Sequence, residues 1–207
     1  IPFEGEKILF GPRILFEADA MPDLIVSAEI CEDVWSPVPP SIDAAREGAT
    51  VIVNCSASDE TIGKAAYRKS LIEGQSARLM AAYIYANAGE GESTTDLVFG
   101  GNNIISENGT TLAEGERFRN GVIYAQIDVK RLIGERRKNT TFKTARDRHL
   151  LRVPFHVEMT RTRLSRRFPS RPFVPDAKEE RDRRCEEILT IQAMGLKKRL
   201  AHTHAKS

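Results

Sequence analysis

Three short runs of strand-forming residues constrain the fold of this chain more than any other feature. They lie at residues 24–30, 50–55 and 82–87. The middle run, Thr50-Val51-Ile52-Val53-Asn54-Cys55, is nearly continuous in apolar side chains and lacks the alternation of a strand with one wet face. Such strands are buried on both sides, as parallel strands are. Residues 42–47 form a short helical pattern between the first two runs. Gly48 closes it, because glycine readily takes the left-handed backbone that ends helices. Residues 64–80 form a longer helix between the second and third runs, with Ala66, Leu71, Ile72, Ala77, Leu79 and Met80 as its partly apolar face. Strand, helix, strand, helix, strand is the order of an α/β layered domain with a mixed sheet.

The flanking segments are less regular. Residues 7–17 suggest a hairpin around Gly11-Pro12, and Asn108-Gly109 is a hairpin turn between strand pieces that include 103–106. Residues 122–129 suggest a further strand. From Leu150 the periodicity dissolves, and residues 160–176 are rich in Arg, Ser and Pro, as in an extended linker. Asp176 is expected to cap a helix that runs to about Leu200. The charge divides the same way: residues 1–150 carry 17 Lys+Arg against 22 Asp+Glu, and residues 151–207 carry 14 against 7. A basic tail admits a nucleic-acid partner, but this one lacks interleaved aromatics and any nucleic-acid motif, so a solvated linker and helix is the reading adopted.

Three cysteines, Cys31, Cys55 and Cys185, with no close pair argue against a disulfide framework and for a reducing cytoplasm. No apolar run reaches the ~18 residues of a membrane span, and no signal-peptide pattern opens the chain. The first methionine is Met21, inside the expected domain, which suggests a piece of a longer protein. Of the four histidines, His149, His156, His202 and His204, only the last two are close, and they lack partners at ligand spacing, so no metal is expected.

Cys31 is the candidate nucleophile. It follows the first buried strand in Glu29-Ile30-Cys31-Glu32-Asp33-Val34-Trp35 and precedes a proline turn at residues 36–41. A sharp turn at a strand end is where α/β enzymes hold a nucleophile out from the sheet. Glu32 and Asp33, being adjacent, point different ways and are expected to hold the turn, not to form an acid/base pair. Trp35 is expected to pack near the pocket, and Cys55 and Cys185 to be packing residues. The loop Gly89 to Thr95 looks like a phosphate cradle but lacks the Gly-Lys-Ser/Thr ending such loops need.

The Cys31 segment resembles the nucleophile segment of the nitrilase, or carbon–nitrogen hydrolase, superfamily. More closely, the chain resembles the glutamine-dependent NAD synthetases. That likeness is carried by Phe10-Gly11-Pro12 with Leu15-Phe16-Glu17, by Asn54-Cys55-Ser56-Ala57-Ser58 with Thr61-Ile62-Gly63-Lys64, and by Gly89-Glu90-Gly91-Glu92-Ser93-Thr94-Thr95. In the tail it is carried by Arg171-Pro172-Phe173-Val174-Pro175 and Arg184-Cys185-Glu186-Glu187-Ile188-Leu189. The resemblance implies part of a nitrilase-like α-β-β-α sandwich at 1–149, a linker at 150–175, and at 176–207 a helix leading into a synthetase domain outside this chain. It implies hydrolysis of L-glutamine through a Cys31 thioester, with ammonia used for ATP-dependent amidation of nicotinic acid adenine dinucleotide to NAD. It implies Ser58 and Lys64 as glutamine-binding residues, a homo-oligomer, no cofactor in this chain, and ATP with magnesium for the absent domain. A hydroxyl and a cation suit the two ends of an amino acid. The family's catalytic Glu and Lys lie upstream of the Cys segment. Lys7 lacks the motif of that lysine, so this chain alone is expected to be inactive. The rival readings are a free-standing nitrilase-type amidase, which would not need the 184–200 helix, and a non-catalytic binding module with a basic tail.

Overall fold

The computed structural model describes residues 1–93, 96–145, 150–166, 168 and 170–204. Thr94, Thr95, His149, Pro169 and the last three residues, all within expectations stated above, lie outside the described residues. The chain divides into two compact units, residues 1–164 and 165–207.

In the first unit, β1 (Pro2–Phe3) and β2 (Glu6–Lys7) form a small ribbon. The remaining strands are β3 (Ile14–Ala18), β4 (Ile25–Ile30), β5 (Val51–Ser56), β6 (Ala82–Asn87), β7 (Ile104–Glu107), β8 (Thr110–Glu114) and β9 (Leu151–Phe155). Among the described residues these make one seven-stranded sheet in the order β8-β7-β6-β5-β4-β3-β9. β4, β5 and β6 run parallel, β3 and β9 run parallel, and the other neighbours are antiparallel. The mixed α/β sheet expected from the sequence is therefore present. Helices α1 (Pro40–Arg46) and α2 (Lys64–Leu79) are the crossovers that join the central parallel strands.

The two sheet faces differ. Leu15, Ile52, Tyr83, Tyr85 and Ile104 point to the α1/α2 side and pack with Ala44, Ala45, Ile72 and Leu79. Val51 and Ala82 point the other way, against Val129 and Leu132 of α3 (Val129–Lys138). Both faces of β5 are thus covered over its first half, which is why that run is nearly free of alternation.

Several expectations are corrected. No hairpin forms at Gly11-Pro12. A two-residue turn of the ribbon type needs positive φ at both positions, and that occurs at Glu4 and Gly5, with φ of 47° and 85°. β3 pairs instead with β4 and β9. Residues 122–128 are not a strand. Asp128 caps α3, its carboxylate accepting from the Arg131 N–H at 2.9 Å, and Val129, Leu132 and Arg136 follow at helical spacing. The linker does not start at 150, because β9 extends the sheet. Its Pro154 hid it in the sequence, but β9 is an edge strand, where a missing N–H is tolerated. The Asn108-Gly109 turn is as expected, with φ of 47° and 84° between β7 and β8.

The second unit consists of an irregular lead-in and α4 (Lys178–Thr203). Its N-cap is Ala177, not Asp176, and no side chain caps it. Asp176 contributes only its carbonyl, which accepts from Arg181. Cys185 is exposed on this helix and Cys55 is exposed on β5, so neither is a packing residue. Cys55 points away from the helix-covered face, beyond the part of the other face that α3 reaches. No described helix is long and apolar enough to cross a membrane.

Candidate active site

Because β4, β5 and β6 are parallel, their carboxyl ends meet at one edge of the sheet, the edge at which open α/β sheets place ligands. Cys31 follows β4, Ser58 follows β5, and the glycine-rich loop follows β6. Cys31 opens a 3-10 turn, Cys31–Trp35, with φ of 48°. A non-glycine residue in this region carries strain that its surroundings must hold. Asp33 does part of this, accepting from the Ile30 N–H at 2.7 Å and tightening the turn. Cys31 itself is half-buried.

Asn54 on β5 does the rest. Its Oδ1 accepts from the Cys31 N–H at 3.1 Å, and its Nδ2 donates to the Cys31 carbonyl at 3.3 Å. The same amide accepts from Ser56 Oγ at 2.7 Å and donates to the Tyr83 hydroxyl at 3.1 Å. Tyr83 in turn donates to Glu29, whose other carboxylate oxygen accepts from the Ser41 N–H at 2.9 Å. Burial, with the Glu29 carboxylate beside it, pushes the Tyr83 phenol well above its ordinary range, so it stays a neutral donor.

Ser58 is held in the same manner one strand along. Its N–H donates to Asn87 Oδ1 at 2.8 Å and its carbonyl accepts from Asn87 Nδ2 at 3.1 Å. Asn87 is anchored in turn, its N–H donating to Asn103 Oδ1 at 2.9 Å. Lys64, the first residue of α2, pairs with Asp59 at 2.5 Å and lies 5.9 Å from the centre of the Trp35 ring, which stacks on Tyr67. The Lys64 ammonium beside it holds the Asp59 carboxyl below the usual carboxylate range. Glu60 is buried between Arg68, at 2.6 Å, and Arg117, at 3.0 Å. Gly89, Gly91, Leu97, Phe99 and Phe118 line a cavity of about 290 Å³ at this edge. Asn120 pins that loop through the Glu90 N–H and carbonyl, and a Cβ on Gly89 would lie 2.1 Å from Asn120 Oδ1. Lys7 is exposed on the β1/β2 ribbon.

The carbon-nitrogen hydrolase profile matches residues 5–137, the span that carries β3 to β8 of the sheet and this edge. The chain belongs to the carbon-nitrogen hydrolase family. Within that family it is 42% identical over 206 residues to a glutamine-dependent NAD(+) synthetase of Mycobacterium tuberculosis, covering 95% of this chain and 30% of that protein. A glutamine-dependent NAD(+) synthetase of Mycobacterium leprae is 44% identical over 201 residues, covering 92% of this chain and 30% of that protein. The chain therefore spans under a third of the length of these relatives. The carbon-nitrogen hydrolase fold is also seen in Saccharomyces cerevisiae Nit3, a member of the nitrilase superfamily. It superposes with a TM-score of 0.50 at 19% identity, over 57% of this chain and 43% of that one.

Sequence reasoning singled out Cys31, Ser58 and Lys64, and the structure places Cys31 and Ser58 after adjacent parallel strands and Lys64 at the start of α2; it did not single out Asn54, Asn87, Tyr83 and Glu29. The signal was there for two of them. Glu29 and Asn54 are polar residues that interrupt apolar strands, and a buried polar group needs partners.

Proposed function

We propose that this chain is part of a glutamine-hydrolysing NAD synthetase and supplies the nucleophile side of its nitrilase-like glutaminase. The observation that carries this reading is the half-buried Cys31, held at positive φ at the carboxyl edge of the parallel strands. The likeness to two synthetases over more than nine-tenths of the chain supports it.

In this reading Cys31 Sγ attacks the side-chain amide carbon of L-glutamine. The C–N bond breaks, the thiol proton passes through a general base to the leaving nitrogen, and ammonia departs. Water then cleaves the thioester to give glutamate and restore the thiol. The base and the cation that favours the thiolate are a Glu and a Lys from a region preceding this chain. The Cys31 N–H is committed to Asn54, so backbone donors to the developing oxyanion come from the residues after it. Ser58 and Lys64 recognise the amino-acid end of glutamine. ATP and magnesium belong to a synthetase region beyond α4, which amidates nicotinic acid adenine dinucleotide to NAD, and no residue here is assigned to them. The working assembly is a cytoplasmic homo-oligomer, and the chain by itself does not turn over. The segment after β9 is the linker, and α4 leads into the synthetase. The test is a polypeptide extended in both directions to the length of the relatives. Cys31→Ala is expected to abolish glutamine-driven NAD formation and to spare formation driven by added ammonia. An unchanged glutamine-driven rate would falsify the proposal.

A further inference from the structure

The Asn54 amide makes four hydrogen bonds, two through each of its polar atoms. Tyr83 fixes which way it points. The phenol hydrogen is spent on Glu29, so the hydroxyl offers Asn54 only a lone pair and must face the NH₂ group. The amide oxygen is then turned to the Cys31 N–H. At 1% exposure no solvent competes for it. Asn87 repeats the two-bond clasp on Ser58, but from the next strand and with a different anchor, Asn103. The repeat has a structural cause. Parallel pairing stops at Ile30 opposite Cys55 and at Ser56 opposite Asn87, and past those points the chains diverge into turns. An asparagine side chain presents the same donor and acceptor as a peptide unit, so it carries the pairing on to a residue that has left the strand.

Resting on the glutaminase reading above, we propose that Asn54 and Asn87 are separate positioning residues for the two halves of the reaction. Asn54 holds the nucleophile, and Asn87 holds the glutamine-binding serine. Asn54 hydrogen-bonds Cys31 and its own anchors, Ser56 and Tyr83, so its loss displaces the nucleophile without removing a hydrogen bond to Ser58. Asn87 acts on Ser58 and leaves Cys31 in place.

The experiment uses the extended polypeptide and measures kcat and KM for glutamine, the ammonia-driven rate, and the rate of alkylation of Cys31 by iodoacetamide at one fixed pH. Asn54→Ala should lower kcat about 100-fold with KM within about threefold, and should change the alkylation rate of Cys31 by about tenfold. Asn87→Ala should raise KM about tenfold, with kcat and the alkylation rate little changed. Ammonia-driven synthesis should persist in both. Asn54→Asp keeps the acceptor for Cys31 but not the donor to its carbonyl, and should fall between wild type and Asn54→Ala. The proposal is overturned if the two alanine variants change kcat and KM alike. It is also overturned if their ammonia-driven rate falls with their glutamine-driven rate while Asn54→Asp equals wild type, since that is loss of folding only. A wild-type protein that does not hydrolyse glutamine overturns the glutaminase reading itself, and this proposal with it.

Discussion

The two ends of the central parallel strands use buried polar groups in opposite ways. At the amino end, Arg136 of α3 reaches under the sheet and is buried. It donates to the carbonyls of Leu79 and Met80 at the end of α2, to Ala45 at the end of α1, and to Ala49 just before β5. Helix ends leave carbonyls without partners, and one guanidinium answers several of them. Burial pulls its pKa down to about 10, still far above neutral pH, so the charge is kept. Nearby, Thr50 Oγ1 donates to the Asp23 carbonyl and Ser76 Oγ to the Ala81 carbonyl, both at 2.7 Å. This network closes on itself. At the carboxyl end, the Glu29–Tyr83–Asn54 chain ends on the Cys31 backbone, held at positive φ. One end stabilises the sheet, and the other spends part of that stability on holding Cys31 in a backbone conformation that a non-glycine residue disfavours.

The comparison can be broken by single substitutions. Cys31→Gly should have the largest effect. Glutamine hydrolysis in the extended polypeptide should fall by about 10⁴-fold or more, while stability rises by about 0.5–1 kcal/mol because glycine relieves the strained φ. Denaturant melts with an activity assay check both signs, and a Cys31→Gly protein that is less stable than wild type would contradict the account of strain. Arg136→Ala should do the reverse. It should cost about 3 kcal/mol, since several buried carbonyls lose a charged donor, with kcat/KM kept within about threefold below the melting temperature. Lost activity in a fully folded Arg136→Ala protein would erase the distinction between the two ends.

A smaller effect is expected at Gly109→Ala, at the edge of the amino-end network, where the Gly109 N–H donates to Ser76 Oγ at 3.3 Å. Gly109 has φ of 84°, and a Cβ would sit 2.9 Å from Ala77 Cβ. The change should cost about 1–2 kcal/mol by denaturant melts and leave the kinetics alone. The smallest effect concerns pH. The Asp59 carboxyl is held below its ordinary 3.8 by Lys64. Its folded pKa is therefore lower than its unfolded one, and the pairing contributes fully above about 3.8 and is lost as pH falls through the lowered value. Carboxyl NMR titration should show Asp59 returning to the ordinary range in Lys64→Met, and an unmoved Asp59 would show that the pair is not formed in solution.

The central architecture was legible because β5 and β6 are short apolar runs separated by helix-length segments, and because Asn108-Gly109 names its own turn. The sharp corner at Cys31 was legible from the strand before it and the prolines after it. α3 was not legible, because residues 122–129 have strand-forming composition and the helix depends on the Asp128 cap and the tertiary reach of Arg136. β9 was masked by Pro154, which only an edge position tolerates. The asparagine clasps were invisible for a further reason. A side chain that bonds a backbone 23 or 29 residues away leaves no local pattern, only a polar residue where a strand should be apolar.

The measurement that bears most directly on the central claim is mass spectrometry of the extended polypeptide after treatment with a diazoketone analogue of glutamine. The account predicts one modified residue, Cys31, with glutamine blocking the modification and Cys55 and Cys185 untouched despite their greater exposure. Modification of Cys55 or Cys185 in preference to Cys31, or modification of Cys31 that glutamine does not slow, would contradict it.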